Sequence, residues 1–249
     1  MICTMNSPVR SDTFRTEPVS FARRSGKINN RQQRAWDALA GSCLLDFPRL
    51  ANDTSIVPEH RFDQMAVFGR QARLVVEIGS GRGEAIVRAA AENPDTDFLA
   101  LEVYIPGIAQ TLVAMQNQEI GNIRIALLNA TEALETMLEP ASVDELWVFF
   151  PDPWRKLRHH KRRLVTTSFA AQAARVVKPG GVWRLATDWQ HYADQMLQVL
   201  GRSPDFASSG NWAPRFDGRI VTRFEARGTH GGHNIRDLSA IRLDPSTMG

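Results

Sequence analysis

Three glycines, Gly79, Gly81 and Gly83, alternate in the segment EIGSGRGE (residues 77–84), which continues directly from an apolar β-type run. Alternate glycines let a backbone turn pass close beneath a ligand before a helix begins. A dinucleotide-binding fingerprint requires glycine at its sixth position, which Glu84 occupies in this chain. The spacing, with an acid before it, therefore favours S-adenosylmethionine as the cofactor.

Polar side chains lie at the ends of three successive β-type runs: Glu77, Glu102 and Asn129. Glu102 could accept hydrogen bonds from both ribose hydroxyls of a nucleoside, and Glu77 could hold a loop amide or face the ammonium group of the cofactor. Asn129 could recognise an adenine edge, but an Asn before Thr-Glu is equally a helix N-cap. The alternative is that the glycines only turn the chain and Glu102 only caps a strand. The acid at the second strand end favours the cofactor site.

The segment FFPDPW (residues 149–154) places one carboxylate, Asp152, between two prolines and beside aromatic side chains. Proline fixes its own φ, so the two prolines stiffen the segment while the carboxylate stays exposed. Asp152 could accept hydrogen bonds from N1–H and the exocyclic amine of guanine, while Trp154 or a neighbouring phenylalanine stacks on the purine. Alternatively, Trp154 packs in the core and Asp152 only forms a turn. The position at a strand end favours a purine contact.

Six lysines and arginines, and no acid, occupy residues 155–163. Charge of this density is too costly to bury, and it lies close to Asp152, so we expect it to grip the phosphates of a nucleic acid. A solvated face is the ordinary alternative for a run of charges. His159 and His160 could ligate a metal, but no Cys or His at suitable spacing accompanies them, and we predict no metal site.

The elements that position these motifs alternate between short apolar β-type runs and helical stretches. The pattern predicts strands at residues 74–78, 98–103, 123–128, 145–150 and 182–186, helices at 84–93, 106–117, 131–138 and 164–177, and a turn at 178–181. Residues 222–228 are predicted as a short strand and turn. This alternation indicates an α/β fold with a parallel sheet and helices on both faces. Ligands of such sheets bind at the carboxyl ends of the strands, where the motifs lie.

The amino-terminal part of the chain is basic and lacks periodicity. Residues 1–34 hold seven Lys and Arg, so we predict a flexible basic arm over residues 1–28. One domain then extends over residues 29–249, and it begins with a docking helix at 29–46 that Asn29 or Asn30 caps. The two basic regions make a polyanionic partner plausible.

The composition bounds the remaining possibilities. The chain has 249 residues, of which 43% are hydrophobic and 23% charged, with a formal charge of +3, and these values are typical of a globular protein. No apolar stretch is long enough for a membrane span or a signal core, so we expect a cytoplasmic protein with no membrane contact. Cys3 and Cys43 lack the spacing of a zinc site. We expect a monomer or homodimer without an obligatory partner subunit.

The sequence resembles the tRNA (guanine-N7)-methyltransferases from about residue 23 to residue 238. The resemblance rests on EIGSGRGE, LEVYIPGI, FFPDPWRKLRHHKRR, LATDW and TRFEARG, in that order. It implies a Rossmann-like class I methyltransferase with a mostly parallel seven-stranded sheet, S-adenosyl-L-methionine as donor, and methylation of N7 of the guanosine at position 46 of tRNA. By resemblance, cofactor positions are Glu77, Gly79, Gly81, Gly83, Glu102, Asn129 and Asp152; Asp152 is also the catalytic acid; substrate positions are Lys156, Asp188, Thr222, Arg223, Phe224 and Glu225; and RNA-binding positions are Arg158, His159, His160, Lys161, Arg162 and Arg163.

Three positions depart from the pattern of this family. Asn129 stands where the family usually has Asp, Tyr104 where it often has His, and Arg223 where it often has Lys. Asn keeps an acceptor but removes a charge, which puts cofactor affinity in question. Arg in place of Lys keeps the positive charge but replaces a compact ammonium group by a planar guanidinium, whose donors have a fixed geometry.

Guanine N7 carries a lone pair and no proton, so attack on a sulfonium methyl needs no general base. We therefore expect Asp152 and Asp188 to position the guanine and to stabilise its developing positive charge. Asp188, which precedes Trp189, could instead be a helix N-cap. Two other classes of function stay open: a methyltransferase of a small molecule or protein, and an RNA-binding protein whose cofactor site has decayed.

Overall fold

The structure is a computed structural model, and it describes residues 26–50, 54–244 and 246. Almost all of the predicted basic arm at residues 1–28 lies outside these described residues. A seven-stranded sheet crosses the described part of the chain in the order β3-β2-β1-β4-β5-β7-β6. Its strands are β1 (Arg73–Ile78), β2 (Thr96–Glu102), β3 (Ile123–Leu127), β4 (Val143–Phe149), β5 (Val177–Thr187), β6 (Phe206–Ser208) and β7 (Arg236–Arg242).

Strands β1 to β5 pair in parallel, whereas β7 pairs antiparallel with both β5 and β6. The chain order therefore reverses between β1 and β4, which is the topological switch point of the sheet. The mostly parallel seven-stranded sheet predicted for the chain is confirmed. All motifs named from the sequence follow the carboxyl ends of β1, β2, β3, β4 or β5, apart from the segment at 222–228.

The predicted turn at residues 178–181 lies inside β5. In the register with β4, Val143 pairs with Val177 and Glu145 pairs with Val182, so the four residues between them on β5 form a bulge. Gly180 has a φ of 78°, a conformation that favours glycine. The bulge leaves the carboxyl half of β5 in parallel register with β4.

The helices are α1 (Asn30–Cys43), α2 (Gln64–Phe68), α3 (Glu84–Glu92), α4 (Ile105–Gln118), α5 (Ala130–Glu132), α6 (Thr167–Val176), α7 (Gln190–Arg202) and α8 (Arg223–His230). Asn29 caps α1 in a capping box with Gln32, as expected for one of the two candidate caps. The helix predicted at 131–138 is a short α-helical turn followed by a π-helix at Ala133–Met137. A 3₁₀ helix, Leu157–Arg162, carries much of the basic run.

The segment at 222–228 is not a strand and turn, so this prediction is wrong. It is the first part of α8, which Thr222 caps by accepting a hydrogen bond from the backbone N–H of Glu225 at 3.2 Å. The spacing Thr-x-x-Glu is a helix-start signal that the sequence carried. As a helix, the segment covers the carboxyl ends of the strands and adds no strand to the sheet.

Two apolar layers hold the sheet between helices. Along β1, Leu74, Val76 and Ile78 face one layer, which includes the buried side chains of α6 and α7. Val75 faces the other layer with α1, α3 and α4. Side chains alternate between the faces of a strand, so β1 is apolar on both faces, as a central parallel strand requires. Among the described residues, no helix is long and apolar enough to cross a membrane.

Candidate functional site

The glycine loop after β1 is shaped by close backbone packing. Gly79, Gly81 and Gly83 have φ values of 72°, 58° and 73°, which L side chains rarely adopt. A Cβ at Gly83 would lie 2.4 Å from Thr111 Oγ1, and a Cβ at Gly107 would lie 2.3 Å from the carbonyl oxygen of Gly81. Helix α4 therefore packs directly against the loop, and there is no room for a side chain at Gly83 or at Gly107.

Glu102 fixes this loop from the end of β2. Its Oε2 accepts a hydrogen bond from Gly81 N at 2.6 Å, and its Oε1 accepts from the backbone N–H groups of Val103 and Tyr104 at 2.7 and 2.8 Å. Burial raises the pKa of Glu102, and these amide donors oppose the increase. The negative charge of Asp152 adds to the increase, so the two carboxylates lie close enough to interact. A contact between Glu102 and a ribose stays a prediction.

Glu77 is a buried carboxyl group with an unpaired oxygen. Its side chain lies beneath the glycine loop, and Oε2 has no hydrogen-bond partner. Burial raises the pKa of Glu77 to about 8, and the negative charge of Glu102 adds to this increase. An unsatisfied buried acceptor is costly, and a positively charged group beside it would offset the cost. The position suits a cationic ligand.

A cleft of about 330 Å³ opens above Glu77. The glycine loop forms one wall, Phe149 and Phe150 form the floor beside β4, and α8 forms the cover. The ring of Phe224 on α8 lies 5.2 Å from the ring of Phe150, and Arg223 N donates to Glu84 Oε2 at 2.6 Å. Such volumes accommodate small-molecule ligands. Thr222, Arg223 and Phe224, predicted as substrate positions, all line this cleft.

Asn129 has the capping role that the sequence left open. Its Oδ1 accepts hydrogen bonds from the backbone N–H and the hydroxyl of Thr131, at 3.0 and 2.9 Å. The Asn129 side chain is buried, and its backbone N–H donates to Thr54 O. These contacts explain the residue at this position locally, while an adenine contact through the side-chain amide stays a prediction.

The FFPDPW segment is held in an unfavourable backbone conformation. Phe150 and Trp154, neither of them glycine, have φ values of 53° and 43°. Such positions cost about 1–3 kcal/mol each and are concentrated at functional sites. Phe150 N donates to Ala186 O at 2.7 Å, which joins the loop to the end of β5. Asp152, between the two strained residues, is exposed to solvent.

Most of the basic segment is on the surface. Lys156, Arg158 and Lys161 are exposed, and Arg162 stacks over the ring of Trp154 at 5.0 Å from its centroid. His159 lies edge-on to the same ring, at 5.8 Å between ring centroids. Desolvation, together with the positive charges of Arg162, Arg158 and Lys156, lowers the pKa of His159. The segment thus presents positive charge beside Asp152.

Arg163 does not share this exposure. Its side chain is 0% exposed and hydrogen-bonds Pro153 O, His191 and Gln195. The expectation that Arg163 contacts RNA is therefore corrected: the last cation of the run points inward, where the backbone carbonyl of Pro153 and the side chains of His191 and Gln195 on α7 supply acceptors for it.

Asp188 follows β5, as expected, but it is not a helix cap. The N-cap of α7 is Trp189, which makes no side-chain capping bond. Asp188 Oδ2 instead lies 3.0 Å from His233 Nδ1, and a Cβ at Gly228 would lie 3.2 Å from the same oxygen. The close approach of α8 to Asp188 brings the 222–228 segment to the ends of β4 and β5. The sequence analysis missed His233, which no motif signal marked.

Glu225, predicted as a substrate position, is 1% exposed. It forms ion pairs with Arg215 and with Arg219, the latter at 2.6 Å. Arg219, also 1% exposed, pairs with Asp237 at 2.6 Å and lies over the rings of Phe149 and Phe150. The assignment of Glu225 to substrate is corrected: its carboxylate is used to hold α8 in place. The sequence analysis missed Arg219, because no motif marked it and its partners Glu225 and Asp237 are brought to it by the fold.

No group of three or more His, Cys, Asp or Glu within the described ranges could hold a metal ion. The arrangement consists of buried acids beneath a glycine loop, an exposed acid on a strained loop, and a basic rim. Such an arrangement can bind a cation-bearing small molecule next to a polyanion.

Known proteins are similar to this chain over most of its length. A model of a protein family described as "Putative methyltransferase" matches residues 71–238. The chain is 41% identical over 286 residues to the tRNA (guanine-N(7)-)-methyltransferase of Paenarthrobacter aurescens (strain TC1), covering 95% of each protein. It is 46% identical over 239 residues to the tRNA (guanine-N(7)-)-methyltransferase of Cutibacterium acnes (strain DSM 16379 / KPA171202), covering 94% of this chain and 87% of the relative.

Two solved structures resemble the fold. The 16S rRNA methyltransferase KamB aligns with a TM-score of 0.53 and 16% identity, over 74% of this chain and 96% of that chain. TrmN from Thermus thermophilus aligns with a TM-score of 0.50 and 19% identity, over 72% of this chain and 47% of that chain. At such identities the likeness concerns the fold alone, and it confirms the predicted Rossmann-like class I methyltransferase architecture.

Proposed function

Because the chain belongs to the tRNA (guanine-N(7)-)-methyltransferase family, we propose that it methylates N7 of the guanosine at position 46, in the variable loop of tRNA. The donor is S-adenosyl-L-methionine. The tRNA substrate places the proposed activity in the cytoplasm. We also propose that the enzyme is a monomer or a homodimer. The domain assignment, a methyltransferase domain from residue 29 onward with α1 as a docking helix, belongs to this proposal.

The unpaired Glu77 oxygen beneath the glycine loop carries the cofactor assignment. S-adenosylmethionine has a sulfonium and an ammonium group, and either suits a buried carboxyl group with one unpaired oxygen. Gly79 and Gly81 line the cleft with backbone free of side chains, which a nucleoside can approach closely, while Gly83 lets α4 pack against the loop. The residues present therefore fit this cofactor.

The acceptor lies on the side of the strained loop. When bound, the cofactor supplies an electrophilic methyl group, and guanine N7 attacks it without losing a proton. Asp152 is placed to accept hydrogen bonds from the guanine edge and to stabilise the positive charge that the purine gains. Asp188, oriented by His233, stands at the end of the neighbouring strand and can support the same base.

The basic rim binds the RNA backbone. Lys156, Arg158 and Lys161 are exposed next to Asp152, and phosphates are the groups that such cations bind in RNA. Trp154, with Arg162 over its ring, offers a platform on which a base can stack. This charge distribution favours a tRNA substrate over a small molecule or a protein.

The test is methyl transfer from labelled S-adenosylmethionine to unmodified tRNA, followed by aniline cleavage at N7-methylguanosine. A single cut in the variable loop is the expected result. Cofactor binding without a cut would move the substrate to a small molecule or a protein. Cofactor binding that fails altogether, with tRNA still bound, would favour an RNA-binding protein whose cofactor site has decayed.

Asp152→Asn tests the placement of the active site. It keeps the size of the side chain and removes the charge, so kcat should fall by at least about 100-fold, as for the loss of one preorganised electrostatic contact. Glu59→Asn, at an exposed position away from the cleft, is the control. Turnover that survives Asp152→Asn would show that the reacting guanine lies elsewhere.

A further inference from the structure

Arg163 joins the loop that carries Asp152 to the helix that follows Asp188. Its Nε donates to Pro153 O at 2.9 Å, and Pro153 stands directly between Asp152 and Trp154. Its Nη1 lies 2.9 Å from His191 Nδ1 and donates to Gln195 Oε1 at 2.7 Å, and both partners belong to α7. Because arginine has only donors, the His191 nitrogen is the acceptor.

The FFPDPW loop needs such an external donor. Pro151 and Pro153 have no N–H, so the loop cannot fix itself through amides at these two positions. Phe150 and Trp154 hold strained φ values at either end of it. Strained residues keep their conformation only where surrounding contacts over-determine it. The bond from Arg163 to Pro153 O provides that constraint at the residue next to Asp152.

The burial of this cation is costly and is not explained by an ion pair. The side chain is 0% exposed, and among residues 26–50, 54–244 and 246 no carboxylate forms an ion pair with it. Its Nη2 has no hydrogen-bond partner, and its guanidinium lies 4.8 Å from the centroid of the Tyr192 ring. Desolvation lowers the pKa of Arg163. A buried cation without a counter-charge adds little to the free energy of unfolding. The position of Arg163 therefore points to a role other than stability.

We propose that Arg163 is a positioning residue: it fixes the Asp152 loop against α7 and thereby sets the separation of the two acids that hold the acceptor guanine. The inference deepens the proposed function and rests on it. Arg163 touches neither substrate, and it acts through the geometry of Asp152. A shift of about 1 Å in a reacting geometry can cost about 100-fold in rate.

The decisive variant is Arg163→Met, which removes the cation and keeps the length of the side chain. We expect kcat to fall by at least about tenfold at saturating tRNA and cofactor, because the loop samples other geometries. The Kd values of both ligands and the salt dependence of tRNA binding should stay unchanged, because a positioning residue binds neither. A residue that only supports folding would not separate kcat from binding in this way.

Lys161→Met is the matched comparison, since it removes one cation from an exposed position two residues away. This change should raise the Kd for tRNA and reduce the salt slope by about 1. If Arg163→Met has the same effect on the slope, Arg163 is an RNA contact and the inference is wrong. Arg163→Lys keeps the charge and one donor, and it should restore part of kcat.

His191→Phe keeps the experiment decisive if Arg163→Met does not fold. His191 is exposed, and phenylalanine keeps its ring against His160 while removing the acceptor. A severalfold fall in kcat at unchanged tRNA Kd supports the inference. Unchanged kcat in His191→Phe overturns it.

The Asp152→Asn variant separates the two levels of the proposal. If Asp152→Asn loses turnover and the Arg163 and His191 variants keep it, the active site is placed correctly and the positioning role alone is wrong. If Asp152→Asn keeps turnover, the proposed site fails, and the role of Arg163 fails with it.

Discussion

The two halves of the cleft are built in opposite ways. On the β1 and β2 side, the loop adopts left-handed conformations at glycines, and the buried carboxylate of Glu102 holds it by accepting from the backbone N–H of Gly81. On the β4 and β5 side, left-handed conformations fall on Phe150 and Trp154, and the buried guanidinium of Arg163 holds the loop by donating to Pro153 O and to Gln195 of α7. The first half is relaxed and has buried acids, and the second is strained and has an exposed acid.

The difference corresponds to two chemical tasks. A half built around buried carboxyl groups can discriminate a small cationic ligand by desolvation. A half that must accept a base from a large RNA needs an exposed acid, so its geometry depends on constraints behind the loop. Changes in the first half should therefore act on cofactor affinity and pH dependence, and changes in the second on turnover and RNA binding.

The largest effect is expected for Glu77→Gln, which tests the buried acid of the first half. Burial raises the pKa of Glu77 from 4.5 to about 8, so the folded protein keeps a proton that the unfolded chain releases. Between these two values, the free energy of unfolding of the parent protein should fall relative to the variant by up to about 1.4 kcal/mol per pH unit. Below pH 4.5, the ionisation of Glu77 should no longer contribute to the difference between the free energies of unfolding of the two proteins.

Urea unfolding of both proteins from pH 5 to pH 9 measures this slope. Saturating S-adenosylmethionine should reduce it, since a cation beside Glu77 favours the ionised form. Glu59→Gln, at an exposed position, is the control; it keeps Glu77 and should show the same pH dependence as the parent protein. Parallel curves for Glu77→Gln and the parent protein would mean that Glu77 ionises normally and that the two halves do not differ in this respect.

Glu225→Leu tests the cover that joins the halves. Glu225 and Arg219 are both 1% exposed, and loss of the carboxylate leaves a buried arginine with Asp237 as its remaining ion-pair partner. We expect a loss of about 3 kcal/mol in the free energy of unfolding. The exposed pair of Arg88 and Glu92 gives the control, Glu92→Leu, at no more than about 1 kcal/mol. Equal thermal shifts in the two variants would contradict the structural role of Glu225.

Gly107→Ala tests whether the first half is built by close packing. The new Cβ would lie 2.3 Å from the carbonyl oxygen of Gly81, so the glycine loop must move. Overpacking costs about 1–3 kcal/mol, which corresponds to roughly 10- to 100-fold weaker cofactor binding by calorimetry. Binding of tRNA should be unaffected. Gly41→Ala, in α1 with open space around it, should instead stabilise its helix slightly; weaker cofactor binding there would refute the packing explanation.

The smallest effect is expected at the basic rim of the second half. Replacing both Arg158 and Lys161 by Met should leave the thermal midpoint unchanged and lower the slope of log K against log salt by about 2, one unit for each lost phosphate contact. Lys178→Met removes a cation at the amino-terminal end of β5, where it pairs with Asp144. If the salt slope of tRNA binding changed as much in the Lys178 variant as in the Arg158 and Lys161 variant, positive charge in general, and not this rim, would bind the RNA.

The sequence by itself determined strands β1 to β5, the helices between them and the glycine loop, but not α2, α7, β6 or β7. Strand and helix periodicity located β1 to β5, and the glycine spacing located the loop, because these features depend on residues near one another in the chain. It also marked Asp152, since two prolines and a strand end are local signals. It did not determine the helix at 223–230, although Thr222 and Glu225 carried a capping signal.

The tertiary structure decided which charged side chains are used inside the protein. Arg162 and Arg163 are identical and adjacent in sequence, yet one stacks on Trp154 and the other is buried against α7. Likewise, Arg219 is buried where Glu225 of α8 and Asp237 of β7 both pair with it. Whether a charge is solvated or buried depends on acceptors that distant segments supply, and that balance of desolvation against hydrogen bonding is set only when the chain has folded.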